Sequence, residues 1–193
     1  MLLFSRFMRY LGAQQRQLEE RPAERLYQSV LQASRQPSLY TEFEVCDHLD
    51  SRFDMLCLHI SLLMGRLRML PEEVHKPLNQ ELFDRFFADM DFTLREMGVG
   101  DLGVGKRVRK MSEAFMGRLL AYTKSLERNN KTELAIILAR NIRRSLDCND
   151  ADRRMADYVL ESRDRLSAVS DNEMQAGTVN LVAILARHGD GYG

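Results

Sequence analysis

Apolar residues recur at spacings of three and four along most of this chain, and that period predicts one helix after another. Leu26, Tyr27, Val30 and Leu31 mark a helix from about Ala23 to Gln36, with Pro22 fitting its start and Pro37 its end. The stretch SLYTEFEVCDHLD reads as a loop anchored by Tyr40 and Phe43. Phe53, Leu56, Ile60, Leu63, Met64 and Leu67 then give a broad apolar face to a helix over about 51–70, the expected central core helix, with Asp50 as its N-cap. Arg52, Arg66 and Arg68 are expected on its other faces or near its ends. A short proline-bounded connection, PEEVHKP, leads to Leu82, Phe83, Phe86, Phe87, Met90, Leu94 and Met97, again at helical spacing.

After a cluster of glycines the period resumes. Val104, Val108, Met111, Phe115, Leu119 and Tyr122 face inward from a helix over about 102–127, with Asp101 as its expected cap. Asn129-Asn130 marks a break, and LAIILARNIRRSL follows as a helix. Asp150 is expected to cap 151–169, and Ser170-x-x-Glu173 reads as a capping box for the last helix. No stretch shows sustained period-two alternation between hairpin turns. The expected fold is all-α, a single compact domain of about six to seven helices. Residues 1–22 read as a basic amphipathic N-terminal segment, 23–188 as the helical body and 189–193 as a disordered tail.

Composition changes this picture little. The 193 residues are 45% hydrophobic and 29% charged, ordinary for a folded protein able to bury a real core. Twenty-eight basic and 28 acidic residues cancel, so bulk charge gives no reason to expect DNA as a partner. Three widely spaced cysteines suit reduced thiols in a cytoplasm. No apolar run is long enough to span a bilayer. Residues 1–18 carry Arg6, Arg9 and Arg16 with no acid, and Phe4 and Phe7 share a helical face, so this segment reads either as lying on an anionic membrane surface or as packing on the body or fraying as a terminus.

Local charge changes it more. Across Glu81–Glu96 five acids stand against two arginines, and across Asp101–Arg118 five cations stand against two acids. A neutral chain segregated in this way presents a cationic surface to something. Between the two blocks, Gly98, Gly100, Gly103 and Gly105 form a loop or hinge together with Asp101. Gly98-Val-Gly100-Asp-Leu-Gly103 matches the dinucleotide string, but that string binds a pyrophosphate only between a strand and a helix, and a helical period precedes it here. Gly100-x4-Gly105-Lys106 approximates a phosphate-binding loop with Arg107 where the Mg²⁺-binding hydroxyl belongs. A small-ligand or nucleotide-binding protein using Gly98–Lys106 is therefore the alternative reading.

Other candidate chemistry is weaker. Cys46-x-His48 and Cys57-x-His59 hold zinc-type ligands, but residues two apart on a helix point in different directions. Asp84, Asp89 and Asp91 lack a shared i, i+4 register and are expected on a solvated face. No nucleophile–base arrangement is legible, so no metal, cofactor or catalytic residue is expected.

FDRFFADMDFTLREMGVGDLGVGKRVRKMSEAFMGRLLAY resembles the ubiquinol–cytochrome c chaperones, assembly factors for cytochrome b of the respiratory bc1 complex. LYQSVLQASRQPSLYTEF and SRFDMLCLHISLLMGRLR are similar to earlier blocks of that family, so the likeness runs from about Leu26 to about Leu126. Without a long targeting extension, the chain looks like a bacterial relative. The resemblance implies a non-enzymatic chaperone that holds nascent or apo cytochrome b near the inner face of the membrane, with the ribosome exit region and the anionic membrane surface as further expected contacts. Residues expected to meet the client or partner are Lys106, Arg107, Arg109, Lys110, Phe115, Arg118 and Tyr122. Phe4, Arg6, Phe7 and Arg9 are the expected membrane-surface residues.

Overall fold

A computed structural model of the chain describes residues 21–185. The amphipathic segment with Phe4, Arg6, Phe7 and Arg9, and the tail at 189–193, lie outside the described residues. Among the described residues nine α-helices run in the order α1 Pro22–Ser34, α2 Pro37–Glu42, α3 Leu49–Leu67, α4 Glu72–Glu96, α5 Asp101–Glu127, α6 Lys131–Leu138, α7 Asp150–Ser167, α8 Asp171–Ala176 and α9 Leu181–Leu185. A π-helical turn at Ala139–Arg143 follows α6 directly. No strand occurs among the described residues, and the fold is all-α.

Helix α3 is the axis of the molecule. It is buried nearly all round, as a helix that is apolar on most faces must be, and it packs against α1, α4, α5 and α7. Its N-cap is His48, whose ring accepts from the Ser51 amide, so the cap falls two residues before the expected Asp50. Helices α4 and α5 form a long antiparallel hairpin beside it. Phe86 joins the three elements, stacking on Phe53 of α3 at 5.9 Å and meeting Phe115 of α5 at 5.3 Å between ring centroids. On the other side, α7 packs on α3 and α6, and α9 closes over α1.

Several local expectations are corrected. The expected loop after Pro37 contains α2, because Pro37 is pre-organised for a first helical position and Leu39 has a core site to fill. The PEEVHKP connection is the first two turns of α4, which passes through Pro77. Packing of Val74 and Leu78 against the core outweighs the lost backbone hydrogen bond. Arg66 points inward, donating to the Leu166 and Val169 carbonyls at the end of α7 and pairing with Asp171 at 2.5 Å. A guanidinium with several donors suits unsatisfied carbonyls at a helix C-terminus. Asn149, not Asp150, caps α7, while the expected capping box of Ser170 and Glu173 opens α8.

Asp89 also departs from the solvated face expected for it. It accepts from the Tyr27 hydroxyl at 2.7 Å and lies 3.5 Å from Arg85, whose guanidinium stacks over the Tyr27 ring. Arg85 in turn pairs with Glu24 at 2.7 Å, so this cluster fastens α4 to α1. Burial, with Asp89 beside it, pushes the Tyr27 phenol well above its usual range.

Gly177 ends α8 with φ +67°, and a Cβ there would lie 2.5 Å from the Pro22 carbonyl oxygen. Gly177→Ala is therefore expected to cost about 2 kcal/mol, from the left-handed backbone and the displaced start of α1. Urea unfolding of the variant checks this, and a loss below about 0.5 kcal/mol would show that α1 yields freely.

Candidate functional site

The glycine cluster resolves into three parts. Helix α4 ends in a Schellman motif: Gly98 takes φ +79°, its amide donates to Arg95 O at 2.9 Å, and the Val99 amide donates to Leu94 O at 3.1 Å. Gly100 is the N-cap of α5, and Asp101 is its first residue, paired with Arg95 rather than serving as the cap. Gly103 and Gly105 lie inside α5, so the connection is four residues long, 97–100, and not the extended hinge expected of Gly98–Gly105. A pyrophosphate cradle needs a strand leading into it, and among the described residues there is none.

The tight turn sets α5 against α4 so that the C-terminal half of α4 and the N-terminal half of α5 wall a groove of about 550 Å³, with α1 and α3 as its other sides. Leu31, Phe53, Leu56, Met90, Leu94 and Met111 give it an apolar lining. Six cations and two acids line it as well: Arg35, Arg52, Arg107, Lys110, Arg118 and Arg144 against Asp50 and Asp54.

Asp54 organises the inner end. Its carboxylate is fully buried, with Oδ1 2.8 Å from Arg118 of α5 and Oδ2 3.2 Å from Arg144. Arg144 reaches it because the π turn ends in a left-handed residue at φ 56°, and its other guanidinium nitrogen holds Asp50 at 3.0 Å. Burial still pushes the Asp54 carboxyl above its usual range, against the opposing pull of the two arginines. Arg52 is held by Asp47 at 2.6 Å. Both acids and three of the cations are therefore paired within the protein. Arg35, Arg107 and Lys110 make no ion pair among the described residues, and they leave the groove with a net cationic rim over an apolar lining.

The residues singled out from the sequence separate accordingly. Arg107 and Lys110 line the groove, and Arg118 sits at its inner end rather than on a solvated face. Lys106 and Arg109 are exposed on the outer side of α5, with Arg109 only 3.7 Å from Glu113. Phe115 and Tyr122 have no exposed surface and belong to the core behind the groove, so neither is a contact surface. Burial pushes the Tyr122 phenol well above its usual range.

The paired Cys-x-His motifs do not meet. His59 is buried against Met55 O and the Tyr158 hydroxyl, and His48 caps α3. Among the described residues no three His, Cys, Asp or Glu side chains are placed to share a metal ion.

Residues 41–182 match the family described as Ubiquinol-cytochrome C chaperone. The chain belongs to that family. A solved structure, the crystal structure of the Cbp3 homolog from Brucella abortus, is similar to it at 37% identity and a TM-score of 0.75, over 89% of this chain and 94% of that one. A comparison with curated proteins returns no match. The family match continues well past Leu126, through α6, α7 and α8, so it takes in Arg144 and the elements that present it to the groove. No helix of the chaperone among the described residues is long and apolar enough to cross a membrane.

Sequence reasoning passed over Arg35, Asp54 and Arg144 in this chaperone. Asp54 carried a usable signal, since a lone acid one residue from Phe53 and Met55 inside a helix buried on most sides must meet a cation. Arg144 carried none, because a π turn directs it.

Proposed function

We propose that this chaperone holds newly made cytochrome b during biogenesis of the bc1 complex, and that the α1–α3–α4–α5 groove takes part of the client. The observation that carries this reading is the mismatch inside the groove: its acids are neutralised from within, while Arg35, Arg107 and Lys110 remain unpaired above an apolar lining. Such a surface favours a segment with apolar side chains and acidic neighbours, and charge complementarity selects among otherwise similar apolar segments. Catalysis plays no part: the groove binds, and release follows when the client gains its own partners. The protein works as a peripheral partner at the membrane face where the client inserts, with the ribosome exit region as the place of first contact.

The test is capture of cytochrome b by the tagged full chain, compared with Arg107→Glu/Lys110→Glu. Both side chains are exposed and make no ion pair among the described residues, so the melting temperature is expected to hold while recovered client falls about tenfold. Unchanged capture by a folded variant would remove the groove from client binding. Failure of the wild-type chain to enrich cytochrome b, even after crosslinking, would remove the client itself.

A further inference from the structure

Cys46 and Cys148 are far apart in the chain, yet the fold sets the loops that carry them side by side. Cys46 lies between α2 and α3, and Cys148 between the π turn and α7. Three cross-contacts stitch the two segments together. Arg154 donates to the Glu42 carbonyl oxygen at 3.0 Å, Asn149 to the Glu44 carboxylate at 3.1 Å and Arg144 to Asp50 at 3.0 Å. Residue numbers rise along one segment as they fall along the other, so the two run antiparallel. Cys46 falls in the interval between the Glu44 and Asp50 contacts, and Cys148 in the matching interval between those of Asn149 and Arg144.

Arg143 sits among groups from both segments. Its guanidinium is held above its usual range first by Asp152 and further by Glu44 and Cys148. An acid of the first loop and the thiol of the second therefore lie about one cation. Cys46 is exposed and Cys148 half-buried, whereas Cys57 is fully buried in α3. Neither Cys46 nor Cys148 belongs to a helix, so both can settle at the Cα separation of about 4.4–6.8 Å that a disulfide requires without unwinding one.

We propose that Cys46 and Cys148 are a reversible dithiol–disulfide pair, oxidised by a small-molecule disulfide. The exposed Cys46, as thiolate, attacks one sulfur of that molecule, breaking its S–S bond and expelling one thiolate. Cys148, as thiolate, then attacks the Cys46 sulfur, forming the Cys46–Cys148 bond and expelling the second thiolate. The two expelled thiolates take up the two protons given up by the protein, so two protein thiols are oxidised while one disulfide is reduced to two thiols. The bridge ties the loop before α3 to the loop after Arg144, and so pins the segment whose guanidinium meets Asp54 at the inner end of the groove. It stands independently of what the groove receives.

The full-length chain, equilibrated with mixtures of reduced and oxidised glutathione, tests it. Samples held in buffer and in unfolding concentrations of urea are quenched with acid, digested and read by mass spectrometry. The folded chain is expected to give a peptide pair linked through residues 46 and 148 with Cys57 free. It is expected to favour that bridge about 100-fold over the unfolded chain, so that by linkage the oxidised protein resists unfolding by about 2.8 kcal/mol more than the reduced one. Cys46→Ser/Cys148→Ser should unfold identically in both redox buffers.

Equal bridging in the folded and unfolded chains would overturn the proposal. So would separate glutathione adducts on Cys46 and Cys148 with no link between them, or a link that lowers stability. None of these results bears on client capture, which is measured separately.

Discussion

Arg118→Ala is expected to destabilise the protein by about 3–5 kcal/mol, the cost of leaving a buried charge without its partner. Asp54 is fully buried, and Arg118 lies 2.8 Å from the oxygen that Arg144 does not serve. The guanidinium also covers the Phe53 ring at 5.8 Å, so the substitution opens apolar surface as well. The effect should depend on pH in a specific way. Burial already holds the Asp54 carboxyl above its usual range, and without Arg118 it rises further, so the carboxyl can escape its cost by taking a proton. The loss is therefore largest above neutrality and shrinks as the solution is made acidic. Arg118→Leu combined with Asp54→Leu should recover most of the stability, because the pair is removed together with its desolvation cost. Denaturant unfolding of both variants at two pH values is the measurement. A single-variant loss below about 1 kcal/mol would place this pair with ordinary surface ion pairs such as Arg109–Glu113.

The second large effect comes from His59. Its Nδ1 lies 2.7 Å from the Met55 carbonyl oxygen, which can only accept, so that nitrogen carries the proton and Nε2 accepts from the Tyr158 hydroxyl at 2.7 Å. The ring is thus neutral, and burial pushes its pKa down from 6.5 to about 4. In the unfolded chain the imidazole takes a proton near 6.5, while in the folded protein it does so only near 4. Between those values the unfolded state binds more protons, so stability is complete above about 6.5 and falls as pH drops toward 4. The contribution from this one residue reaches about 2 kcal/mol by pH 5 and about 3 kcal/mol by pH 4. Asp54 works in the opposite direction, since a carboxyl with a raised pKa favours the folded state on acidification. His59→Gln isolates the histidine: the amide can donate to Met55 and accept from Tyr158 but does not titrate. Its stability is expected to depend on pH less steeply than that of the wild type by these amounts. Parallel curves for the two proteins would mean that His59 takes up its proton in the fold as readily as in the unfolded chain, and would overturn the buried neutral ring.

Helix existence was legible because burial imposes a period on the sequence, and α1, α3, α4 and α5 show it plainly. Local stops were less so. Pro77 carries a stop signal that a packed apolar face overrides, whereas Gly98 carries one that the left-handed turn enforces. The groove was half legible: Arg107 and Lys110 stand in the cationic block that charge segregation picked out. The buried pairing of Arg118 was hidden by its residue type. It lies three residues after Phe115 and four before Tyr122, at the inward positions of α5, and only the burial of Asp54 on another helix explains a cation there. Partners contributed by distant elements, Arg35 from the end of α1 and Arg144 from the end of the π turn, have no local signature, since tertiary packing alone brings them together.

Arg144 also sets when the charge pairing at the inner end of the groove can be completed during synthesis. The walls of the groove are encoded before residue 119, yet one of the two cations that neutralise its inner carboxylate is supplied by residue 144, steered by a turn that forms against α3. A ribosome that has released only the first five helices has therefore made the walls of the receptor without its lock. On the reading of the groove proposed above, competence to receive a client is expected only once α6 and the turn after it have docked, so a chain truncated at residue 130 should capture no client.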